Sequence, residues 1–544
     1  MEPRKPEACG QEGCRETEFF IDNGLRFCRR GHQQLGQQAV DDDNFGVQGM
    51  TSQVKKPAAE RVQKKYRGRQ AYLLYLQIYQ LILWKQCHAL VNSRGFPSQL
   101  EHVIRDLWAL RLETYSRKIA EVGDEDSQPE FFSSQPASAR EDTETEMFTP
   151  GSKFVQWPRL IDTVALCYLG AILMRLPVSV AEFHQMTMRN EIPYYRVLTQ
   201  IPLDMRDRLP NEYAALLDTT TLLKAEDLHT AVFDLLILYQ RKFKMQFPPL
   251  NTPVLLYRLL RRLALPVDIY PVTKRLQTLL GFTFKYPTTV VSRRKPLDEP
   301  ELQLVTLIVI ATKLLFPFDD VQRHPTSTQE LTVQAIDWGS WAEVQNRFDR
   351  RDASAGRIGK GKEILVNEGD VLNMNGDQLD AYLDWYENSW LDNNKGANPL
   401  TPFFPLGSAS KENRQSEPTA EDDEEEAIEV MLHMAPRYLK SRAVVSSSEP
   451  DIPRPGSLYS RYRQESDLPD SARAFYEIAA KVIGVSISTL VRSVSQAETQ
   501  INKWLEEQRR IKHFAEHSMK TPGDSDVENM EEYDERDIPE EDDE

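Results

Sequence analysis

Cys9, Cys14, Cys28 and His32 are the residues of this chain whose types and spacing could hold a metal. The pattern Cys-x4-Cys, a gap of thirteen residues and Cys-x3-His offers three thiolates and an imidazole in two short pairs. That is the donor set and spacing of a closed tetrahedral zinc site. Between the pairs, Glu18-Phe-Phe-Ile-Asp22 and Leu25-Arg-Phe-Cys28 read as two short strands. Asn23-Gly24 joins them, a dipeptide that accepts positive φ at both positions of a type I′ turn. One hairpin thus returns the second ligand pair to the first. All four positions are filled by protein, so the expected cofactor is one structural zinc ion that folds a segment too small to fold alone. The alternative is three unrelated thiols and a surface histidine.

A second constellation, Gly356-Arg-Ile-Gly-Lys-Gly361-Lys362, fits the spacing of a phosphate loop. Glu363 stands where a hydroxyl would bind magnesium, no buried strand precedes the glycines and no amphipathic helix follows. The context that makes such a loop bind phosphate is therefore missing. Cations gather in three places: Lys55, Lys56, Arg61, Lys64, Lys65, Arg67 and Arg69; Arg258, Arg261 and Arg262, which could share a helix face; and Arg293, Arg294 and Lys295 after an expected loop. The first cluster is a solvated tether, a localisation signal, or a contact with phosphate that gains affinity by releasing counterions. The other two are the expected contacts to DNA phosphates, with surface solubility as the alternative. No Ser/His/Asp order, carboxylate pair or second metal cluster stands out, so the chain reads as a binding protein rather than an enzyme.

These groups need elements to carry them. The chain has 544 residues, 40% hydrophobic and 27% charged, enough for roughly two or three cores of about 150 residues each. Of the formal charge of -17, most lies in the last 24 residues, which hold thirteen carboxylates against one arginine. The rest is close to neutral and its basic patches can meet nucleic acid. Five cysteines and no charged-then-apolar leader at Met1 fit a reducing compartment. Cys87 and Cys167 sit in apolar helical patterns and read as core. The most apolar run, Tyr72–Trp84, is shorter than the about 20 residues that a membrane span requires.

Ala71–Val91 is apolar around most of its circumference, which suits the central helix of an all-α domain. Capping boxes at Ser98-Gln-Leu-Glu101 and Ser179-Val-Ala-Glu182 open further helices. More are expected at Pro158–Arg175, Ala225–Phe247, Asn251–Ala264, Asp268–Leu280, Glu299–Phe316 and Asp470–Lys512. Strand signals are almost confined to the first 30 residues. Leu176-Pro-Val-Ser179 and Leu265-Pro-Val-Asp268 echo one another, each ending one helix and opening the next.

Cys9, Cys14, Cys28 and His32, a basic linker and a long helical body together resemble the TFIIB-related family. The x4 and x3 spacings bring them closer to its RNA polymerase I branch, the branch of the yeast core factor and of the animal TBP-associated factors that serve RNA polymerase I. The resemblance implies a mainly α fold: a small β zinc ribbon, two cyclin-like five-helix domains and a C-terminal helical region, with disordered acidic segments. On this chain it gives a zinc ribbon at 1–38, a reader and basic linker at 39–70, and a first cyclin-like domain at 71–215 with an acidic insertion at 121–150. A second cyclin-like domain at 216–394 follows, then a largely disordered linker at 395–467, the helical region at 468–518 and an acidic tail at 519–544. It implies a transcription initiation factor in the nucleus and nucleolus, with RNA polymerase I, other core-factor subunits, TBP and promoter DNA as partners. A factor for RNA polymerase II or III, or a zinc-containing enzyme, is the alternative.

Overall fold

The computed structural model describes residues 9, 14, 17, 19–22, 25–30 and 32–38 near the N-terminus. Beyond these it describes 65–125, 157–219, 221–287, 295–351, 356, 358–390, 420–446 and 452–520. The chain divides into two compact units, Met1–Val62 and Gln63–Glu544. No single helix among the described residues is long and apolar enough to cross a membrane.

The first unit is a three-stranded antiparallel sheet of β1 (Phe19–Asp22), β2 (Leu25–Cys28) and β3 (Gln33–Gln38) in sequence order. Phe19 pairs with Cys28 and Asp22 with Leu25, the register of the expected hairpin. The turn residues Asn23 and Gly24 lie outside the described residues. β3 was not expected: its polar sequence Gln-Gln-Leu-Gly-Gln-Gln carries little strand signal, and it pairs with β2 through an irregularity between Leu25 and Phe27.

The second unit is helical. α1 (Gly68–Ser93) is the long buried helix that its all-round apolarity predicts, with Tyr72, Tyr75, Tyr79 and Ile82 fully enclosed. The buried phenols need partners, and Tyr75 Oη donates to the Pro158 carbonyl at 2.7 Å while Tyr79 Oη reaches that of Arg159 at 3.0 Å. α2 (Gln99–Glu125) and α3 (Ile161–Leu173) pack with α1. Gly170 lets α2 and α3 approach closely: a Cβ there would meet Ile104 Cγ1 at 2.6 Å. The one charged residue of α3, Asp162, is buried against Arg111 at 2.7 Å, so its burial is compensated. Cys87 and Cys167 are core residues, as their helical setting suggests. The insertion expected at 121–150 overlaps the end of α2, and its remainder lies outside the described residues.

α4 (Val180–Met188) begins at Ser179, whose hydroxyl accepts from the Glu182 amide at 3.2 Å, realising that cap. After α5 (Leu203–Arg208) and α6 (Asn211–Leu217), α7 (Ala225–Phe243) lies against α3. Next come α8 (Thr252–Arg262), α9 (Ile269–Leu280) and the enclosed α10 (Pro300–Leu315). The two Leu-Pro-Val junctions are built alike. Arg175 and Ala264 each take a left-handed φ, 56° and 49°, one residue before the leucine. The Leu176 amide then donates to Ala171 O and the Leu265 amide to Leu260 O, both at 3.0 Å, closing the preceding helix with the same bond.

α11 (Trp338–Asp349) packs beside the end of α8 and satisfies its last carbonyls: Trp341 Nε1 donates to Leu263 O at 2.9 Å. α12 (Gly376–Trp390) follows, then α13 (Ala420–His433), α14 (Asp470–Ile483) and α15 (Ile487–Lys520). α14 and α15 pack on α10, where Lys313 Nζ meets Glu498 Oε1 at 2.6 Å in an almost wholly enclosed pair.

One expectation changes. The stretch 395–467, read as a largely disordered linker, contains α13 and a short strand, β5 (Leu439–Ser441). β5 pairs antiparallel with β4 (Gln334–Ile336), and Tyr438 is buried with its hydroxyl on Ala264 O at 2.8 Å. Acidic and Pro/Ser-rich composition hid a segment whose few apolar residues, Met431 and Tyr438, find a prepared surface. β4 and β5 also place strand outside the first 30 residues. Within the helical unit α7 lies against α3, and one apolar core runs from Ala71 to Ala497.

Candidate metal centre and nucleic-acid interface

The four ligand atoms of Cys9, Cys14, Cys28 and His32 lie within 4.8 Å of one another, with the three cysteines buried. β2 ends on Cys28, whose amide donates to His32 O at 3.0 Å, and this tight turn sets Cys28 Sγ and His32 Nδ1 3.5 Å apart. Cys14 Sγ is 4.0 Å from Cys28 Sγ. Tetrahedral zinc with ordinary bond lengths needs about 3.8 Å between sulfurs and about 3.6 Å from sulfur to imidazole nitrogen. The donor set therefore fits zinc, with His32 binding through Nδ1. Burial opposes the Cys28 thiolate, but hydrogen bonds from the His32 and Arg30 backbone and the Cys9 and His32 side chains bring its pKa down to about 7. A thiol so poised is ready to lose its proton to a metal.

Of the linker cations, Lys55, Lys56, Arg61 and Lys64 lie outside the described residues. Lys65 donates to Asn211 Oδ1, and Tyr66 is pinned to α5 by its amide on Arg208 O at 2.9 Å, with Arg208 Nη1 on its hydroxyl at 3.2 Å. Arg67 and Arg69 are exposed at the start of α1. The linker thus has a fixed end on the helical body. Arg293 and Arg294 lie outside the described residues, and Lys295 is exposed ahead of a short 3-10 turn.

Arg258, Arg261 and Arg262 share α8 but not one role. Leu255, Leu256, Leu259 and Leu260 face the core and leave the arginines on the other side. Arg258 is half-exposed, on the Pro177 carbonyl and 3.5 Å from Glu182. Arg261 pairs with Glu425 of α13. Arg262 turns instead into α11, donating to Gln345 Oε1 at 3.0 Å, meeting Asp349 at 3.3 Å and lying 4.3 Å over the Phe348 ring. Its side chain thus lies between α8 and α11 rather than on an open surface. Arg258, Arg261, Arg262 and Arg94 line one groove between α4 and α8, with Glu182, Glu424 and Glu425 also on its walls. Arg94 and Arg189, which meets Glu424 at 2.9 Å, come from the ends of α1 and α4. Nothing in the sequence groups them with α8, because a cation closing a helix reads simply as a complement to the helix dipole.

The glycine-lysine loop is no phosphate cradle. Lys362 Nζ is engaged by the Asp349 carbonyl at 2.7 Å, the Gly361 amide donates to Glu363, and a 3-10 turn follows. The groups that would grip phosphate bind protein instead.

Comparison with known proteins agrees with this layout. The family described as the zinc-finger of RNA polymerase I-specific TFIIB, Rrn7, matches residues 4–36. The Rrn7/TAF1B N-terminal cyclin domain matches 79–203 and the Rrn7/TAF1B C-terminal cyclin domain 221–390. The family division thus falls where the helical core itself is continuous. The RNA polymerase I-specific transcription initiation factor rrn7 of Schizosaccharomyces pombe is 26% identical over 527 residues, covering 90% of this chain and 96% of that protein. RRN7 of Saccharomyces cerevisiae, of the same description, is 21% identical over 351 residues, covering 58% of this chain and 62% of that protein. A crystal structure of the Saccharomyces cerevisiae core factor is similar over 84% of this chain and 100% of that chain, with 17% identity and a TM-score of 0.48.

Proposed function

The chain belongs to the Rrn7/TAF1B family of TFIIB-like, RNA polymerase I-specific initiation factors, and from that premise we propose that it bridges RNA polymerase I and the ribosomal DNA core promoter within a multisubunit core factor. The observation that supports this reading is the order of parts: a zinc ribbon and two cyclin modules matched along one chain, with a cationic stretch of sequence between ribbon and modules. One zinc ion on Cys9, Cys14, Cys28 and His32 holds the ribbon. Ribbon and linker engage polymerase, with Lys55, Lys56, Arg61, Lys64, Lys65, Arg67 and Arg69 supplying charge. The helical body faces promoter phosphates with Arg258 and Arg261, held by Arg262, and with Arg293, Arg294 and Lys295. TBP and the other core-factor subunits dock on the body. The factor works in the nucleus, at the nucleolus, by assembly rather than by covalent chemistry.

Two binding surfaces joined by a linker contribute semi-independently, and their union raises effective concentration. Deleting residues 1–69 is therefore expected to abolish run-off transcription while leaving promoter footprints nearly intact. Arg258→Glu with Arg261→Glu is expected to weaken DNA binding and to lower its log-log salt slope by about 0.9 for each phosphate that is no longer neutralised. A deletion that abolishes the footprint, with a charge reversal that leaves the salt slope unchanged, would overturn this division of roles.

A further inference from the structure

The groove between α4 and α8 gathers cations that no one element supplies, and an acidic helix sits over it. Residues 421–426 are six consecutive carboxylates, Glu-Asp-Asp-Glu-Glu-Glu, at the N-terminus of α13, where negative charge suits the helix dipole. Glu424 meets Arg189 at 2.9 Å and Glu425 meets Arg261. Although burial opposes it, Arg189 first, then Arg262 and Arg351, hold the Glu424 carboxyl below its ordinary pKa. Arg189 meets this carboxylate directly, and the charges of Arg262 and Arg351 act on it at longer range.

The two ends of this segment are held differently. Downstream, Met431 and Tyr438 are buried, Tyr438 is bonded to the end of α8, and the β4–β5 pairing closes the stretch. Upstream, Ala427 and Ile428 are only partly buried, Val430 is 52% exposed, and the first described side chains hold by charge. Such pairs weaken with salt and yield to a competing polyanion. A helix anchored at its C-terminal end and seated by ion pairs at its N-terminal end can lift from the groove without unfolding the body.

We infer that α13 occupies the arginine groove as a stand-in for the phosphate backbone of duplex DNA, so that helix and promoter compete for Arg189 and Arg261. The inference rests on the reading of α8 as a DNA-facing element and adds its regulation: the factor in isolation covers part of its own DNA surface. Lifting the helix exposes those cations and raises affinity through counterion release.

The test uses the full chain and a labelled ribosomal-promoter duplex across a range of salt. Glu424→Gln with Glu425→Gln is expected to tighten binding several-fold and to steepen the log-log salt slope by about two units, as two cations gain phosphates. Adding Arg189→Ala and Arg261→Ala to that background is expected to remove the gain. In the wild-type chain, the duplex is expected to speed amide exchange across 420–428 while leaving Tyr438–Ser441 protected. If the glutamine pair leaves affinity unchanged although the arginine pair weakens it, the competition is wrong and the DNA face stands. If the arginine pair changes neither affinity nor slope, the DNA face itself is wrong. Slower exchange across 420–428 on DNA binding would also overturn the inference, since the helix would then be clamped rather than displaced.

Discussion

Cys28 is the ligand on which the ribbon turns, because it ends β2, pairs across to Phe19 and sets the tight turn to His32. Cys28→Ser in the full chain is expected to lower zinc content from one ion per chain to a small fraction. Metal analysis after gel filtration reads this directly, and retention of a full equivalent would contradict the ligand assignment. In the helical unit, Arg323, its side chain 2% exposed, donates to Asp319 through two nitrogens, one at 2.8 Å, and holds that carboxyl below the usual range. The folded pKa lies below the unfolded value of about 3.9, so this pair's stabilisation is complete above about pH 4. It is lost as pH falls through the depressed value. Asp319→Asn is expected to flatten that acid limb and to cost about 1–3 kcal/mol at neutral pH, since Arg323 keeps the Ser457 and Leu458 carbonyls but loses its counter-charge. Thermal melts from neutral to strongly acid pH check both parts.

At the scale of elements, much was legible because apolar period and caps are local. The expected helices at Asn251–Ala264, Asp268–Leu280 and Glu299–Phe316 correspond to α8, α9 and α10 within one or two residues at each end. The expected single stretch Asp470–Lys512 is instead broken between α14 and α15, because Gly484 takes φ 69° and ends the helix. A Cβ at Gly484 would also lie 2.6 Å from Ala225 Cβ at the start of α7. Gly484→Ala is therefore expected to cost about 2–4 kcal/mol, from the left-handed backbone and the clash together, as read by urea melts. Lys313 and Glu498, 3% and 2% exposed, make the α10–α15 seam. Lys313→Ala is expected to cost about 3–5 kcal/mol by leaving a buried carboxylate short of its cation. The zinc ligands were legible from spacing alone. The acidic cover on the arginines was not, because Glu425 and Glu424 find their arginines 164 and 235 residues away, pairings that no local pattern announces.

For the whole molecule, the family order of ribbon, linker and cyclin modules coexists with a helical body whose core is continuous from α1 to α15. The two cyclin modules are therefore expected to unfold together, in one cooperative transition shared by tyrosine-rich α1 and tryptophan-bearing α11; two separated transitions by calorimetry would contradict it. The factor's specificity is best measured by depleting it from an extract and returning the purified chain to templates bearing a ribosomal or a transfer-RNA promoter. The account predicts that transcription fails and is restored on the ribosomal template alone; loss and recovery on the transfer-RNA template, with ribosomal transcription untouched, would contradict it.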